Sequence, residues 1–256
     1  MKIALYQSPT TDGNEDAAFG RIDRMLKAAA LAGAEMAVFP ELYLPGYNRP
    51  DLHADRAQPQ GGEWDSRLSA LAREAGCGLA IGWAERDGDA VYNVASCYDA
   101  GGVKLAHHRK LQLFGPMEQG VFAPGDAYTV FDLGPYRAAL LICYDVEFAH
   151  HVRALADRGV TLLLVPTANP AGFEMVNDAI VPARAYEHRM TVVYANYCGA
   201  EAGLDFGGRS VIAGPDGRAL ARAGTGETLL VCDLADLARL DPQMLSTQDR
   251  DRREIG

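Results

Sequence analysis

Two largely apolar runs constrain this chain most: residues 137–143 (R-A-A-L-L-I-C) and residues 160–165 (V-T-L-L-L-V). Neither alternates polar with apolar side chains over its length, so each reads as a strand covered on both faces. A helical pattern over residues 147–158 joins them. Buried strands linked by a helix demand layers of helix over sheet. The first run also ends on a cysteine. Cys143 stands at the carboxyl end of a strand, just before a helix, where open α/β sheets place their ligands. On position alone a packing cysteine is the simpler reading, since cysteine is among the most buried residue types. What lies upstream reverses that preference.

The rest of the chain repeats the theme. Strands are expected at residues 2–7, 36–39, 78–84, 90–98, 103–108, 128–132, 191–197, 209–213, 218–221 and 227–232, and helices at 15–33, 64–75 and 173–189. Gly33 and Gly76 close two of the helices, and Pro182 should kink the third. Asp87-Gly88 and Pro215-Asp216-Gly217 mark hairpin turns. Residues 41–61 and 110–126 read as long loops, and the apolar residues of the second argue for function there. Strand–helix–strand units mixed with hairpins suggest α/β layers with mixed sheets, and a two-sheet sandwich flanked by helices satisfies the pattern. At 256 residues with no linker or low-complexity segment, the expectation is one domain spanning 1–256.

Charge and cysteine usage exclude several classes. The net charge of −10 argues against nucleic-acid and anionic-membrane partners, both of which need basic patches. No apolar stretch approaches the ~20 residues of a membrane span, and the N-terminal apolar run is too short for a signal peptide. Five widely spaced cysteines (Cys77, Cys97, Cys143, Cys198, Cys232) make a disulfide framework improbable and fit a reducing cytoplasm. His107-His108 and His150-His151 invite a metal assignment, but adjacent strand residues point to opposite faces and no ligand stands at a metal-site spacing. Neither metal nor cofactor is expected.

Three reactive residues share one setting. Glu41, Lys110 and Cys143 each follow an apolar strand. If those strands lie in neighbouring parallel positions, a carboxylate, an ammonium and a thiol converge. The carboxylate can take the thiol proton, and the ammonium can stabilise a thiolate or an oxyanion. Singly, Glu41 would be a surface carboxylate and Lys110 a solvated lysine.

The surrounding blocks strengthen the set. P-E-L-Y-L-P-G-Y (residues 40–47), H-R-K-L-Q-L-F (108–114) with Glu118 downstream, and L-I-C-Y-D-V-E-F (141–148) resemble the three signature blocks of the nitrilase superfamily, the carbon–nitrogen hydrolases with a Glu-Lys-Cys triad. F-A-P-G-D (122–126), V-P-T-A-N-P (165–170), A-R-A-Y-E-H-R (183–189) and S-V-I-A-G-P-D-G (210–217) follow in order, so the resemblance covers nearly the whole chain. It implies a four-layer αββα sandwich, with Glu41 as general base, Lys110 stabilising the tetrahedral intermediate and Cys143 as nucleophile. Glu118 matches a second glutamate that positions substrate or Lys110, and the Tyr144 N–H would complete the oxyanion hole. Tyr47, Phe114 and Asn169 are the expected substrate contacts. Tyr43, Phe173 and Tyr194 are further aromatic candidates, and Asp145 and Glu147 are expected to cap the helix after Cys143.

The resemblance implies hydrolysis of a small carboxylic amide to acid and ammonia through a Cys143 thioester. A nitrilase, an N-carbamoyl hydrolase and an ω-amidase are the alternatives within the superfamily. True nitrilases tend to carry Cys-Trp-Glu, whereas Cys143-Tyr144-Asp145 looks like the amidase branches. Two readings of other classes compete: a catalytically silent subunit, which predicts a broken triad, and a Cys–His thiol hydrolase using His150 or His151. The resemblance further implies a homodimer or larger assembly, paired through the helix after the cysteine and the helix near 173–189, with the tail at about 240–256 reaching across. One departure stands out. Where many relatives carry Pro-Glu, this chain has Ala149-His150-His151, which bears on specificity.

Overall fold

A computed structural model describes residues 1–253 of the chain. Two β-sheets lie face to face between two layers of helix. The first sheet is built on β1 (Lys2–Pro9), β2 (Met36–Val38), β3 (Gly78–Asp87), β4 (Ala90–Tyr98) and β5 (Lys104–Arg109), side by side in that order. β1 to β3 run parallel, and β4 and β5 continue as antiparallel hairpin strands. The second sheet begins with β6 (Thr129–Leu133), β7 (Tyr136–Leu140), β8 (Leu162–Pro166) and β9 (Thr191–Ala195). Within it β7, β8 and β9 are parallel.

Side-chain alternation along the strands builds the layers. In β1, Ile3 and Leu5 face the second sheet, together with Met36 and Val38 of β2 and Leu162 and Leu164 of β8. The intervening Ala4, Tyr6 and Ala37 face a helical layer made by α1 (Glu15–Leu31) and α3 (Glu63–Ala75), through Phe19, Ile22, Leu26, Leu68 and Ala72. On the far side, Leu163, Val165, Val192 and Tyr194 meet Val152 and Leu155 of α5 (Ala149–Ala156) and Val181 and Ala185 of α6 (Val181–Glu187). The order helix, sheet, sheet, helix is the four-layer αββα sandwich. A strand flanked on both sides shows both residue parities apolar, hence the unbroken run at 162–165, which starts after the exposed Thr161.

Several elements differ from the sequence reading. The segment 41–61 contains α2 (Pro50–Arg56), and 110–126 contains α4 (Gly115–Val121). Each has proline in its first turn, where the missing N–H costs nothing, so the prolines that suggested loops start helices. The strand before the cysteine stops at Leu140, and a 3-10 turn over Cys143–Glu147 separates it from α5. The expected helix at 173–189 is a π-helical turn (Val176–Ile180) followed by α6, with Pro182 in the first turn of α6. The expected strand 191–197 is two strands. It breaks at Asn196, and β10 (Tyr197–Glu201) crosses to the first sheet beside β1, followed by β11 (Leu204–Gly207), a hairpin strand the sequence did not reveal. Asn196 secures the crossing: its side chain donates to the carbonyls of Asn169 and Gly208 and accepts from the Asn169 N–H.

β12 (Val211–Ala213) and β13 (Ala219–Arg222) extend the second sheet, while β14 (Thr228–Asp233) pairs with β1 along Lys2 to Gln7. The tail returns to its own chain, where Asp249 sits 3.0 Å from His188 at the end of α6. The last part of the tail expected at an interface, residues 254–256, lies outside the described residues. Among the described residues no helix is long and apolar enough to cross a membrane.

Candidate active site

Glu41, Lys110 and Cys143 do meet, but not through neighbouring parallel strands. β2 and β5 belong to one sheet and are separated by β3 and β4, and Cys143 comes from the other sheet. The residues converge because all three segments leave their strands at the same end of the sandwich. The Glu41 loop lies flat against β3 at Gly82, where a Cβ would stand 2.4 Å from the Leu42 nitrogen and 2.6 Å from the Glu41 Cα. Only glycine allows that approach. From the second sheet, the Thr167 carbonyl accepts the Glu41 N–H at 3.4 Å.

The three groups form one buried polar cluster. Lys110 Nζ donates to Glu41 Oε1 at 2.6 Å and to Glu118 Oε1 at 2.7 Å, and all three side chains are fully buried. Glu118 sits on α4 and also accepts the Tyr47 hydroxyl at 2.8 Å and the Phe114 N–H at 2.9 Å. Asn93, which sequence reasoning missed, donates to Glu41 Oε1 at 2.7 Å. Glu41 Oε2 is buried with no hydrogen-bond partner among the described residues. One lone-pair-bearing oxygen of Glu41 is thus held by Lys110 and Asn93 while the other is free to accept a proton.

Burial sets the protonation states. Desolvation, opposed by the charge of Lys110, lifts the Glu41 carboxyl from the ordinary 4.5 to about 7. Burial and the negative charge of Glu41 push the Cys143 thiol well up, against the pull of Lys110. Lys110 is held firmly cationic because Glu118 and Glu41 outweigh its own desolvation. The resting cluster therefore has a neutral thiol, an ammonium and a carboxylate poised near neutrality. Such a thiol needs a base at the moment of attack.

Cys143 occupies a sharp turn. Its φ of +45° is a left-handed conformation that non-glycine residues rarely hold. Asp145 braces this turn. Its carboxylate accepts the Ile142 N–H at 3.0 Å on one oxygen, and those of Leu111 at 3.1 Å and Gln112 at 2.7 Å on the other. Asp145 was expected to cap the helix after the cysteine, and it caps the 3-10 helix that begins at Cys143 by accepting the N–H of its N-cap residue Ile142. Its other oxygen also ties that turn to the two residues after Lys110, across the sandwich.

A narrow pocket opens on the Cys143 thiol. Phe114, Tyr144 and Phe173 form aromatic walls, Ala168 and Pro170 lie opposite, and Glu147 and Asn169 supply polar atoms. Its free volume is about 10 Å³, roughly one water. Phe114 packs edge-on against both Tyr144 and Phe173. Of the expected substrate contacts, Phe114 and Asn169 line this pocket. The Asn169 amide nitrogen is committed to the Phe173 carbonyl and to Asn177. Tyr47 does not line it and stands behind Glu118. Tyr43 pairs with Ser8, and Tyr194 is fully buried. Glu147 caps no helix and faces the pocket. Thr167 and Ala168 lie against the thiol and oppose the rise that burial imposes on it; they were not foreseen, because a loop after a buried strand carries no residue-level signal.

The histidine pairs serve elsewhere. His151 lies between the Tyr128 hydroxyl at 2.7 Å and the Gln112 side chain at 3.0 Å, and His150 faces a surface groove with Arg153. Neither lines the pocket at Cys143. His107 lies against Ser96 and Glu85, and His108 faces Asp145 at 3.5 Å. Among the described residues no group of three His, Cys, Asp or Glu side chains could hold a metal ion.

Known proteins share this architecture and sequence. The structure of a glutamate-to-glutamine mutant of the amidase from Nesterenkonia sp. AN1, with acrylamide added by Michael addition at the active-site cysteine, superposes with a TM-score of 0.87 at 36% identity, covering 95% of this chain and 97% of that one. An (R)-stereoselective amidase from a Pseudomonas sp. is 35% identical over 94% of this chain and 86% of its own length. A nitrilase from Pyrococcus abyssi is 33% identical over 89% and 86%. The family profile described as carbon–nitrogen hydrolase matches residues 2–242. With that match and these relatives, the chain belongs to the carbon–nitrogen hydrolase family and is an enzyme hydrolysing non-peptide carbon–nitrogen bonds.

Proposed function

We propose that the enzyme is an amidase that converts a small carboxylic amide to its acid and ammonia, with Cys143 as nucleophile, Glu41 as general base and Lys110 as the cationic oxyanion partner. The observation that carries this reading is the placement of Lys110 Nζ at 2.6 Å from Glu41 and 2.7 Å from Glu118, within electrostatic reach of the buried Cys143 thiol. Glu41 takes the thiol proton as Sγ attacks the amide carbon. The oxyanion is stabilised by Lys110 and by the Tyr144 N–H, which belongs to the first turn of a helix and so has no partner of its own within it. Protonated Glu41 then gives its proton to the leaving nitrogen, ammonia departs and a thioester remains. Glu41 next takes a proton from water as the oxygen attacks the thioester, and the proton returns to Sγ as the acid leaves. Glu118 contributes by fixing the ammonium through charge and geometry.

The narrow aromatic pocket favours a small acyl group. The Tyr144-Asp145 pair after the nucleophile supports an amide over a nitrile, and the similarity to two amidases agrees. A Cys–His mechanism has no support in the geometry, since His151 is held by Tyr128 and Gln112. Ammonia release from aliphatic, aromatic and amino-acid amides, with the matching nitriles as controls, tests the reading. Added hydroxylamine should divert the acyl group to a hydroxamate and lower acid output correspondingly. Acid formation without any hydroxamate, together with loss of activity in chelators, would refute the covalent route.

A further inference from the structure

We infer that Glu147 is the charge filter of the substrate pocket, admitting amides whose acyl chain is neutral or cationic and turning away those that carry a second carboxylate. The inference rests on the amidase reading of the same site. Glu147 lines the pocket beside Cys143 and Phe173, and its side chain makes no hydrogen bond or ion pair with any described residue. That is unusual for a partly buried carboxylate, which normally has a partner. Burial raises the Glu147 carboxyl pKa, opposed by the charges of Lys110 and Arg184.

The two nearby cations are already engaged. Arg184 donates to the carbonyls of Val146 and Glu147 and pairs with Glu187 at 3.1 Å. Lys110 is held between Glu41 and Glu118. Among the described residues no lysine or arginine lines the pocket. A substrate carboxylate would therefore join Glu41, Glu118 and Glu147 around a single ammonium. A substrate ammonium or hydroxyl would supply the partner that Glu147 lacks. Within the alternatives, this disfavours an amidase of dicarboxylate monoamides.

Three probes share the skeleton X–CH2–CH2–CO–NH2: butyramide (X methyl), β-alaninamide (X ammonium) and succinamate (X carboxylate). One charge contact in a partly desolvated site is worth on the order of tenfold. The wild type should show kcat/KM for succinamate at least about tenfold below butyramide, and for β-alaninamide at or above butyramide. In Glu147→Gln the β-alaninamide-to-succinamate ratio should fall by about tenfold or more, mainly through KM. Glu147→Asp should restore part of it, and Glu147→Lys should invert the order. A second measurement needs no turnover: the rates at which iodoacetamide and iodoacetate alkylate Cys143, followed on its peptide and normalised to a free thiol. Neutral reagent should be favoured in the wild type, and the preference should collapse in Glu147→Gln. Equal use of succinamate and butyramide by the wild type, or an alkylation preference unmoved in folded Glu147→Gln, would overturn the charge filter. Failure to release ammonia from butyramide would instead overturn the amidase reading, leaving the alkylation ratio to decide the filter.

Discussion

Replacing Asp145 with asparagine should loosen the site and the fold together, by an amount the structure fixes. The Asp145 carboxylate is fully buried and accepts three backbone N–H groups, from Ile142, Leu111 and Gln112. Asparagine has one acceptor oxygen. If that oxygen keeps Leu111 and Gln112, the amide nitrogen faces the Ile142 N–H, donor against donor. One buried N–H left unpaired costs about 1–3 kcal/mol, and the two retained bonds each lose about 1 kcal/mol when the acceptor is no longer charged. The total is about 3–5 kcal/mol, a large share of the ~5–15 kcal/mol typical of a folded protein. With a urea slope of about 3 kcal/mol/M, the unfolding midpoint should drop by about 1–1.7 M. Catalysis should fall further than stability alone requires at low temperature, where the variant stays folded. Ile142 immediately precedes Cys143, and Leu111 immediately follows Lys110. A misplacement of about 1 Å between nucleophile and cation costs on the order of 100-fold. Urea melts followed by circular dichroism, with ammonia release measured on the folded variant, check both values. A midpoint shift below about 0.3 M with near-normal kcat would refute the bracing role.

The remaining expectations are simpler. Cys143→Ala should abolish hydrolysis while leaving the fold intact by circular dichroism, and Lys110→Ala and Glu41→Gln should be nearly as damaging because the three act as a unit; removing one oxyanion donor alone typically costs ~100 to 1000-fold. kcat/KM should rise with pH through about 7 as Glu41 loses its proton, and stay high into mildly alkaline solution because burial keeps the Cys143 thiol protonated. The same shift has the opposite sign for stability. Between about 4.5 and 7 the folded state holds the Glu41 proton and the unfolded state does not, so this group's contribution falls as pH rises through that window, which pH-dependent melts on Glu41→Gln would isolate. The enzyme should sediment as a homodimer or larger at micromolar concentration, through the face where Phe173, Met175 and Tyr186 are exposed, and a monomer alone would refute this.

Part of this architecture is legible in single residues. The apolar parity of residues 162–165 announces a strand sealed on both faces, and Gly76 announces the end of α3, where it takes the left-handed conformation. The crossing at Asn196 is not legible in the same way. Residues 191–197 read as one strand because Thr191 to Tyr197 are nearly all β-formers, and propensity cannot say that the chain changes sheets halfway. Only the partners of Asn196, far away in sequence, decide it. The site divides along the same line. Glu41, Lys110 and Cys143 are visible because all three follow apolar strands and because their blocks resemble a known family. Their supports are not visible. Asn93 is an ordinary hairpin residue until its amide meets Glu41, and Asp145 shows itself as a helix cap but not as the residue whose second oxygen reaches across to Leu111 and Gln112. Reactive groups are specified by residue type, whereas the groups that hold them are specified by which polar partners the fold brings within hydrogen-bond reach. That is why Asp145 and Glu147, four residues or fewer from the nucleophile, could be named in advance as caps, while the reach of Asp145 to Leu111 and Gln112 and the pocket-facing place of Glu147 could not.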